Sequence, residues 1–322
     1  MPLKTTLPEA KGERLPLILI LGPTAVGKTE IAIQIAEKMS GEIVSADSRT
    51  FYRGMDIGTA KPSVSDRQRV PHHLIDIADP QDTLSLADFQ RLARLAIAEI
   101  HRRGNLPFLV GGTGQFIRAI SQGWSPPQVK PDPVIRKVLK EIVEEKSPGW
   151  LYERLGALDP TAAKNIDPQN FRRTIRAFEV ILVTGRRFSD QRQRGESPYR
   201  LVTIGLMRPR ENLYERVDSR IDSMLSAGLL EEVKRLVGSG FSTTLPSMSS
   251  IGYLECARVV SGEWTLDQAR QEMKRATRRF IRRQANWFKP SDPAIRWFEA
   301  GRPGVVLDIV YFIRNSLAPG VL

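Results

Sequence analysis

Apolar and polar positions along this chain fall into two kinds of block. Short continuous apolar runs at residues 17–21, 43–44 and 108–110 are bounded by glycine, proline or polar clusters and read as buried strands. Stretches with a helical period lie between them. Residues 30–39 repeat Ile31, Ile35 and Ala36, with Ala32 and Met39 one turn on, and residues 85–103 set Leu86, Phe89, Leu92, Ala93 and Ala96 near one face. Such alternation predicts an α/β fold built on a parallel sheet.

The pattern changes after Trp124. Ser125-Pro126-Pro127 and Pro131-Asp132-Pro133 punctuate the chain, and short helical patterns then run to about Gly185, most plainly at 132–146 and 167–184. Residues 199–206 read as a strand rejoining the sheet, 212–227 and 273–289 as helices, 295–298 as an edge strand and 305–316 as a closing helix. The predicted organisation is a loose tail at 1–14, an α/β core from 15–125 and 199–322, and a mainly helical insertion at 126–198.

The first strand runs directly into Gly22-Pro23-Thr24-Ala25-Val26-Gly27-Lys28-Thr29, which fits G-x-x-x-x-G-K-S/T, and a helix follows at once. The residue types suit a phosphate cradle. Gly22 and Gly27 let the backbone curl until amides point inward, Lys28 adds a point charge among phosphate oxygens, and Thr29 offers a hydroxyl to Mg2+. Asp47 stands just past the second strand, where ligands gather in open parallel sheets, so it is expected to share the crevice as a base or Mg2+ organiser, or else to cap the next segment. The long polar loop at 54–62 puts Asp56, Thr59 and Lys61 within reach of a ligand. His72 and His73 are adjacent on a short strand and point opposite ways, so they read as structural and not as a metal pair. The third apolar run ends in Gly111-Gly112-Thr113-Gly114, whereas a plain ATPase carries an acid there for Mg2+; two glycines instead permit close backbone approach.

Charge extends the picture beyond a small ligand. In 322 residues, 48 Lys and Arg face 36 Asp and Glu, a net +12 that makes a polyanionic partner plausible. Arg172, Arg173 and Arg176 share nearly one face of a helix, Arg186, Arg187 and the arginines at 192–194 continue the charge, and Arg216 and Arg220 lie four apart. Residues 273–289 are denser still. Arg275, Arg278, Arg279, Arg282 and Arg283 recur at helical spacing, with Ala276, Phe280 and Trp287 on the opposite stripe, so one face packs and the other meets phosphates. The single cysteine, Cys256, excludes an internal disulfide and a cysteine zinc site and reads as a packed apolar residue. The longest apolar stretch, 15–21, is too short to cross a bilayer, and the expectation is a soluble, cytoplasmic monomer that engages no membrane.

Seven segments carry a resemblance. GPTAVGKT, IVSADS, YRGMDIGTAKP, LVGGTG, RRTIRAFEV, SSIGY and ATRRFIRRQANWF, in this order and spacing, resemble the bacterial-type tRNA dimethylallyltransferases over residues 17–288. The resemblance implies a P-loop, kinase-like α/β core with a helical insertion. It implies transfer of a dimethylallyl group from dimethylallyl diphosphate to N6 of adenosine 37, next to the tRNA anticodon, with Mg2+ as cofactor. By the matching motifs Asp47 is the base, Thr24 donates to the bridging oxygen, and Lys28 and Arg220 offset the charge of the leaving diphosphate. The tRNA anticodon stem-loop is then met by Asp47, Ser48, Arg49 and Thr50, by Thr113 and Arg136, and by Arg172, Arg173, Thr174, Ile175 and Arg176. Ser249, Ser250, Ile251, Gly252 and Tyr253, together with the five arginines of 275–283, complete that surface. Thr50 stands where many relatives carry Gln, Gln115-Phe116 replaces Leu-Tyr, and Ser249-Ser250 replaces Gln-Ala.

Three rivals make different demands. An adenylate isopentenyltransferase acting on free AMP or ADP needs neither the arginine helix nor the insertion. A P-loop nucleotide kinase predicts ATP turnover, against which the Gly-Gly counts, and a P-loop RNA-binding protein without chemistry leaves Asp47 unexplained.

Overall fold

The computed structural model describes residues 14–318 except 125, 126, 128 and 192–194. The tail expected at 1–14, apart from Arg14, and the arginines at 192–194 lie outside the described residues. The chain divides into two compact units, one formed by Met1–Ser121 with Ser197–Leu322, the other by Gln122–Glu196.

In the first unit the chain begins β1 (Pro16–Leu21), α1 (Lys28–Lys38), β2 (Gly41–Ser45), α2 (Val64–Arg69), β3 (His72–His73), α3 (Leu86–Arg102), β4 (Leu106–Gly111) and α4 (Gly114–Ser121). The second unit holds α5 (Pro133–Glu145), α6 (Pro148–Leu158), α7 (Pro160–Lys164) and α8 (Phe171–Thr184). The first resumes with β5 (Arg200–Met207), α9 (Arg210–Ser226), α10 (Leu229–Gly238), α11 (Tyr253–Val260), α12 (Leu266–Ala285), β6 (Arg296–Glu299) and α13 (Val305–Leu317).

The sheet order is β3-β2-β4-β1-β5-β6, and every pairing is parallel. Parallel strands need both faces covered, and β1 reads accordingly. Ile18 and Ile20 pack with Ile204, Phe108 and Val110 on one face, while Leu17, Leu19 and Leu21 pack with Leu109 and Val44 on the other. On the second face Phe51, Phe89 and Phe116 stack, the last two with ring centroids 4.1 Å apart. Register fixes the working edge: Leu21 lies beside Gly111 and Gly205, and Ser45 beside Val110, so the loops after β1, β2, β4 and β5 open at one rim.

The two histidines are structural, and the reason is a buried carboxylate. Glu42, 3% exposed in β2, accepts from Arg103 Nε at 2.9 Å and Nη2 at 2.7 Å and from Asn105 at 2.7 Å, and lies 2.6 Å from His73 Nε2. His72 Nδ1 lies 2.7 Å from the Val70 carbonyl. Burial pushes the Glu42 carboxyl up, but the hydrogen bonds from Arg103, Asn105 and His73 outweigh it and bring its pKa down to about 2.

A second buried carboxylate organises the helical unit. Glu179, fully buried on α8, accepts from Arg136 at 2.8 and 3.0 Å, from Arg176 and from the Asp132 amide. Asp132 in turn caps α5 by accepting from the amides of Val134 and Ile135. Arg136 and Arg176, expected from the resemblance among the tRNA contacts, are each paired with this internal acid while keeping part of the side chain exposed. Thr174 and Ile175, 0% and 4% exposed, are packed inside the unit and offer no side chain to a partner, whereas Arg172 is exposed.

Because the folded-state pKa of Glu42 is depressed, its contribution is complete above the unfolded value near 4.5 and is lost as pH falls towards about 2. Glu42→Gln is expected to cost on the order of 3 kcal/mol at neutral pH. Urea unfolding followed from pH 7 to pH 2 should show the gap from wild type closing through that window, and a gap that stays constant would refute the assignment.

Candidate functional site

The phosphate loop is shaped by what its carbonyl groups face. Lys28 Nζ donates to the carbonyls of Gly22 at 3.0 Å and Pro23 at 2.8 Å, Arg216 Nε to that of Ala25 at 2.8 Å, and Arg208 Nε to that of Val26 at 2.9 Å. With carbonyls turned onto cations, the amides turn the other way. Those of Ala25, Gly27, Lys28 and Thr29 donate to no other described residue, and the last two open the N-terminal turn of α1. Gly27 holds φ at 108°, which only glycine takes freely, and Ala25 at 64° is a strained left-handed residue that costs about 1 kcal/mol. Burial lowers the Lys28 pKa to about 8, with Asp47 opposing that shift and Arg220 adding to it.

Asp47 and Arg220 thus lie close to Lys28, the first from the turn after β2 and the second from α9. One Asp47 oxygen accepts from the Arg49 amide at 3.0 Å, and its carbonyl accepts from the Thr50 amide and hydroxyl, so the residue both caps its turn and faces the crevice. The Arg220 side chain forms no hydrogen bond or close ion pair with another described residue, and burial lowers its pKa. Among the described residues no cluster of three or more His, Cys, Asp or Glu could hold a metal ion. The exposed Thr29 hydroxyl at the start of α1, near Asp47, suits a Mg2+ ion that would bind together with a phosphate ligand, and no all-protein cage is present among the described residues.

Two side chains that sequence reasoning did not single out complete the loop. Arg208, at the end of β5, also donates to the Ala300 carbonyl, and Gln284, from α12, accepts from the Thr24 amide at 2.8 Å and donates to the Gly112 carbonyl at 3.1 Å. Gln284 lay within a recognised motif, but only its spacing with the buried Ala269, Met273 and Ile281 marked it as inward. The glycines after β4 therefore admit close approach by protein atoms. A Cβ on Gly112 would lie 2.3 Å from Gln284 Nε2, and one on Gly114 would strike the Trp287 ring.

The loop at 54–62 is likewise tied down. Lys61, 3% exposed at its side chain, donates to Asp56, Asp76 and the Tyr52 carbonyl, all within 2.6 Å, so the expectation that a ligand reaches it is corrected. Thr59 donates to the Met55 carbonyl. Buried Glu232 of α10 accepts from the amides of Asp56, Ile57 and Gly58 and from the Tyr253 hydroxyl at 2.6 Å.

The basic surface on α12 is narrower than five equal arginines. Its buried stripe is Ala269, Met273, Ile281 and Gln284, while Ala276, Phe280 and Trp287 are half-buried on a flank. Arg278 donates to Asp218 at 2.7 Å and lies over Tyr214, and Arg275 and Arg279 share Glu272. Arg282 and Arg283 are exposed and have no carboxylate partner among the described residues. Beside this helix the joint at 249–253 exposes Ser249 and buries Ser250 and Tyr253 at 4% and 0%, so these two, like Thr50 at 6%, support the surface from within. A groove of about 590 Å³ runs between joint and helix, lined by Ser249, Ile251, Arg258, Trp264, Gln268 and Arg275. Arg49 donates to the Pro246 carbonyl just before the joint, which also accepts from the Ser249 hydroxyl, and Ser48 and Thr113 are half-buried near the rim.

Comparison with known proteins gives one consistent family. The family model described as IPP transferase matches residues 50–291, and that described as isopentenyl transferase matches residues 15–79. A tRNA dimethylallyltransferase of Roseiflexus sp. (strain RS-1) is 52% identical, covering 85% of this chain and 90% of its own, and one from Chloroflexus aggregans is 50% identical over 85% and 92%. The full-length tRNA isopentenylpyrophosphate transferase of Bacillus halodurans superposes with a TM-score of 0.70 at 41% identity, covering 94% of this chain and 96% of that one. A eukaryotic dimethylallyltransferase acting on tRNA gives a TM-score of 0.74 at 27% identity over 89% and 74%.

The low Lys28 pKa has a measurable consequence. Above pH 8 the free lysine has largely lost its proton, and an arriving diphosphate ester draws one back. Calorimetry at pH 8.5 in two buffers of different ionisation enthalpy should record proton uptake on binding that is missing in Lys28→Met; equal proton counts in the two proteins would sink the assignment.

Proposed function

The chain belongs to the IPP transferase family, and we propose that it transfers a dimethylallyl group from dimethylallyl diphosphate to N6 of adenosine 37 in tRNA, releasing diphosphate. The observation that carries this reading is the Asp47 carboxylate set opposite Lys28 and Arg220 across a phosphate loop.

The loop amides of Ala25, Gly27, Lys28 and Thr29 receive the diphosphate oxygens. As the bond from the allylic carbon to the bridging oxygen breaks, its electron pair leaves with diphosphate, whose growing charge Lys28 and Arg220 offset while the Thr24 hydroxyl donates to the bridging oxygen. The adenine nitrogen supplies the pair for the new carbon–nitrogen bond. Its lone pair is delocalised into the ring, so the attack needs a base, and Asp47 takes the N6 proton. Thr29 and the diphosphate would hold Mg2+, which when bound adds positive charge against the leaving group.

A base stacked in the anticodon loop has to be extruded to reach this crevice. Arg282 and Arg283, with Arg275 and Arg279 beside them, seat the RNA backbone, while Ser48, Arg49, Thr113 and the exposed parts of the 249–253 joint meet the loop. On the helical unit the exposed Arg172 and half-buried Arg173 are its contact groups. No helix among the described residues is long and apolar enough to cross a membrane. The expected setting is the cytoplasm, with the protein acting as a monomer.

The direct test incubates the purified protein with unmodified tRNA, Mg2+ and dimethylallyl diphosphate, then weighs the digested nucleosides. A gain of one dimethylallyl group on adenosine is expected, and a gain on free AMP alone would shift the reading to the adenylate-using relatives. Asp47→Asn should lower turnover about 10²–10⁴-fold while tRNA binding persists; near-normal turnover would exclude Asp47 as the base. Arg282→Gln with Arg283→Gln should reduce the slope of log affinity for tRNA against log salt by roughly one to two. An unchanged slope would remove both from the RNA surface.

A further inference from the structure

Gln284 is an amide where helical periodicity asks for an apolar side chain. It shares the inward stripe of α12 with Ala269, Met273 and Ile281 and is 8% exposed, and a buried amide is costly unless its groups are bonded. Both ends are. Oε1 takes the Thr24 amide at 2.8 Å and Nε2 reaches the Gly112 carbonyl at 3.1 Å, across 260 and 172 residues of sequence. One turn on, the Trp287 carbonyl accepts from Arg118 at 2.6 Å and its ring covers Gly114. The end of α12 therefore grips the phosphate loop and the β4 turn together.

We propose that Gln284 is a positioning residue for the reaction, which holds the Thr24 segment of the phosphate loop at a fixed place against the β4 turn. By engaging the Thr24 amide it leaves the anion to the amides from Ala25 onward, and it fixes the backbone from which the Thr24 hydroxyl is presented. A loop already in place spends nothing on rearrangement as charge builds on the departing diphosphate. This inference rests on the reading of the site as one that releases diphosphate. Since Gln284 faces inward and the arginines of α12 face outward, its loss should fall on kcat and spare RNA affinity.

The experiment compares Gln284→Met and Gln284→Glu with wild type in prenyl transfer and in tRNA binding. Gln284→Met, similar in length but without either bond, should lose at least about tenfold in kcat, with tRNA affinity within about twofold. Gln284→Glu supplies a test that a packing role would not pass. As an anion it accepts from Thr24 but cannot donate to Gly112, and it adds a negative charge behind the phosphate loop. When protonated it repeats both bonds, so its activity relative to wild type should rise as pH falls. The charged groups around it are Lys28, held on the Gly22 and Pro23 carbonyls, Asp47 and Arg220 opposite Lys28, Arg118 of α4, and Arg282 and Arg283 on its own helix. These titrate in both proteins and cancel in the ratio.

A Gln284→Met kcat within about twofold of wild type, or a flat Gln284→Glu ratio, overturns the proposal. Should wild type itself form no prenylated adenosine, the functional reading fails separately. Inorganic diphosphate binding with Mg2+ then decides, a loss in Gln284→Met with RNA affinity intact supporting the positioning role and unchanged binding overturning it.

Discussion

The phosphate loop depends on turning its own carbonyls away from the anion it is built to receive. A tight loop of consecutive amides presents its donors on one side only if its acceptors are satisfied on the other. Here Lys28, Arg216 and Arg208 take the carbonyls of Gly22, Pro23, Ala25 and Val26. Each comes from a different element, α1, α9 and the end of β5. The loop is therefore a product of the whole sheet edge and not of its eight residues, and the strained Ala25 persists because these contacts over-determine it. Lys28 braces the loop from within it, and burial, with Arg220 nearby, lowers its pKa while Asp47 opposes that shift.

What could be read from sequence was whatever is local or periodic. The run into Gly22–Thr29, the place of Asp47 beyond β2, the helix α3 and the edge strand β6 all follow from patterns within about twenty residues, and they stand in the structure as expected. Contacts across the sequence could not be read. Lys61 sits in a loop that looked open, yet its partner Asp76 comes from beyond α2 and draws it inside. Gly112 was rightly seen as a place of close approach, but the visitor is Gln284, contributed from α12. The inward stripe of α12 was misplaced by a flank for a related reason: Ala276, Phe280 and Trp287 are apolar, whereas the true stripe includes a glutamine that no hydropathy rule would bury.

Buried glutamates recur as the means by which this fold fixes its loops. Glu42 joins β2 to the histidine strand and the end of α3, Glu179 fastens the start of α5 to α8, and Glu232 gathers three successive amides of the loop at 56–58. An isolated buried carboxylate would be too costly to keep charged, and each here is met by several donors. The solutions differ. Glu42 and Glu179 use arginines, while Glu232 uses amides and the Tyr253 hydroxyl, whose proton is held more tightly because of burial and the neighbouring acid. Tyr253 thus serves as the floor of a surface and not as part of its face.

That use of arginine changes what a net charge of +12 means. Arg103, Arg136 and Arg176 neutralise interior acids, Arg208 and Arg216 brace the phosphate loop, and Arg278 is paired with Asp218, so much of the positive charge is already engaged within the protein. Among the arginines singled out on α12, Arg275 and Arg279 share one glutamate, which leaves Arg282 and Arg283 as the uncompensated pair. They sit immediately before Gln284 in the chain. The part of the helix with the strongest unbalanced charge outside is therefore the part that holds the phosphate loop inside, and one turn of α12 faces both the outer basic surface and the inner phosphate site. The same stretch of backbone carries the exposed Arg282 and Arg283 on its outer side and, on its inner side, Gln284, which reaches Thr24, so the basic surface and the phosphate loop share one support.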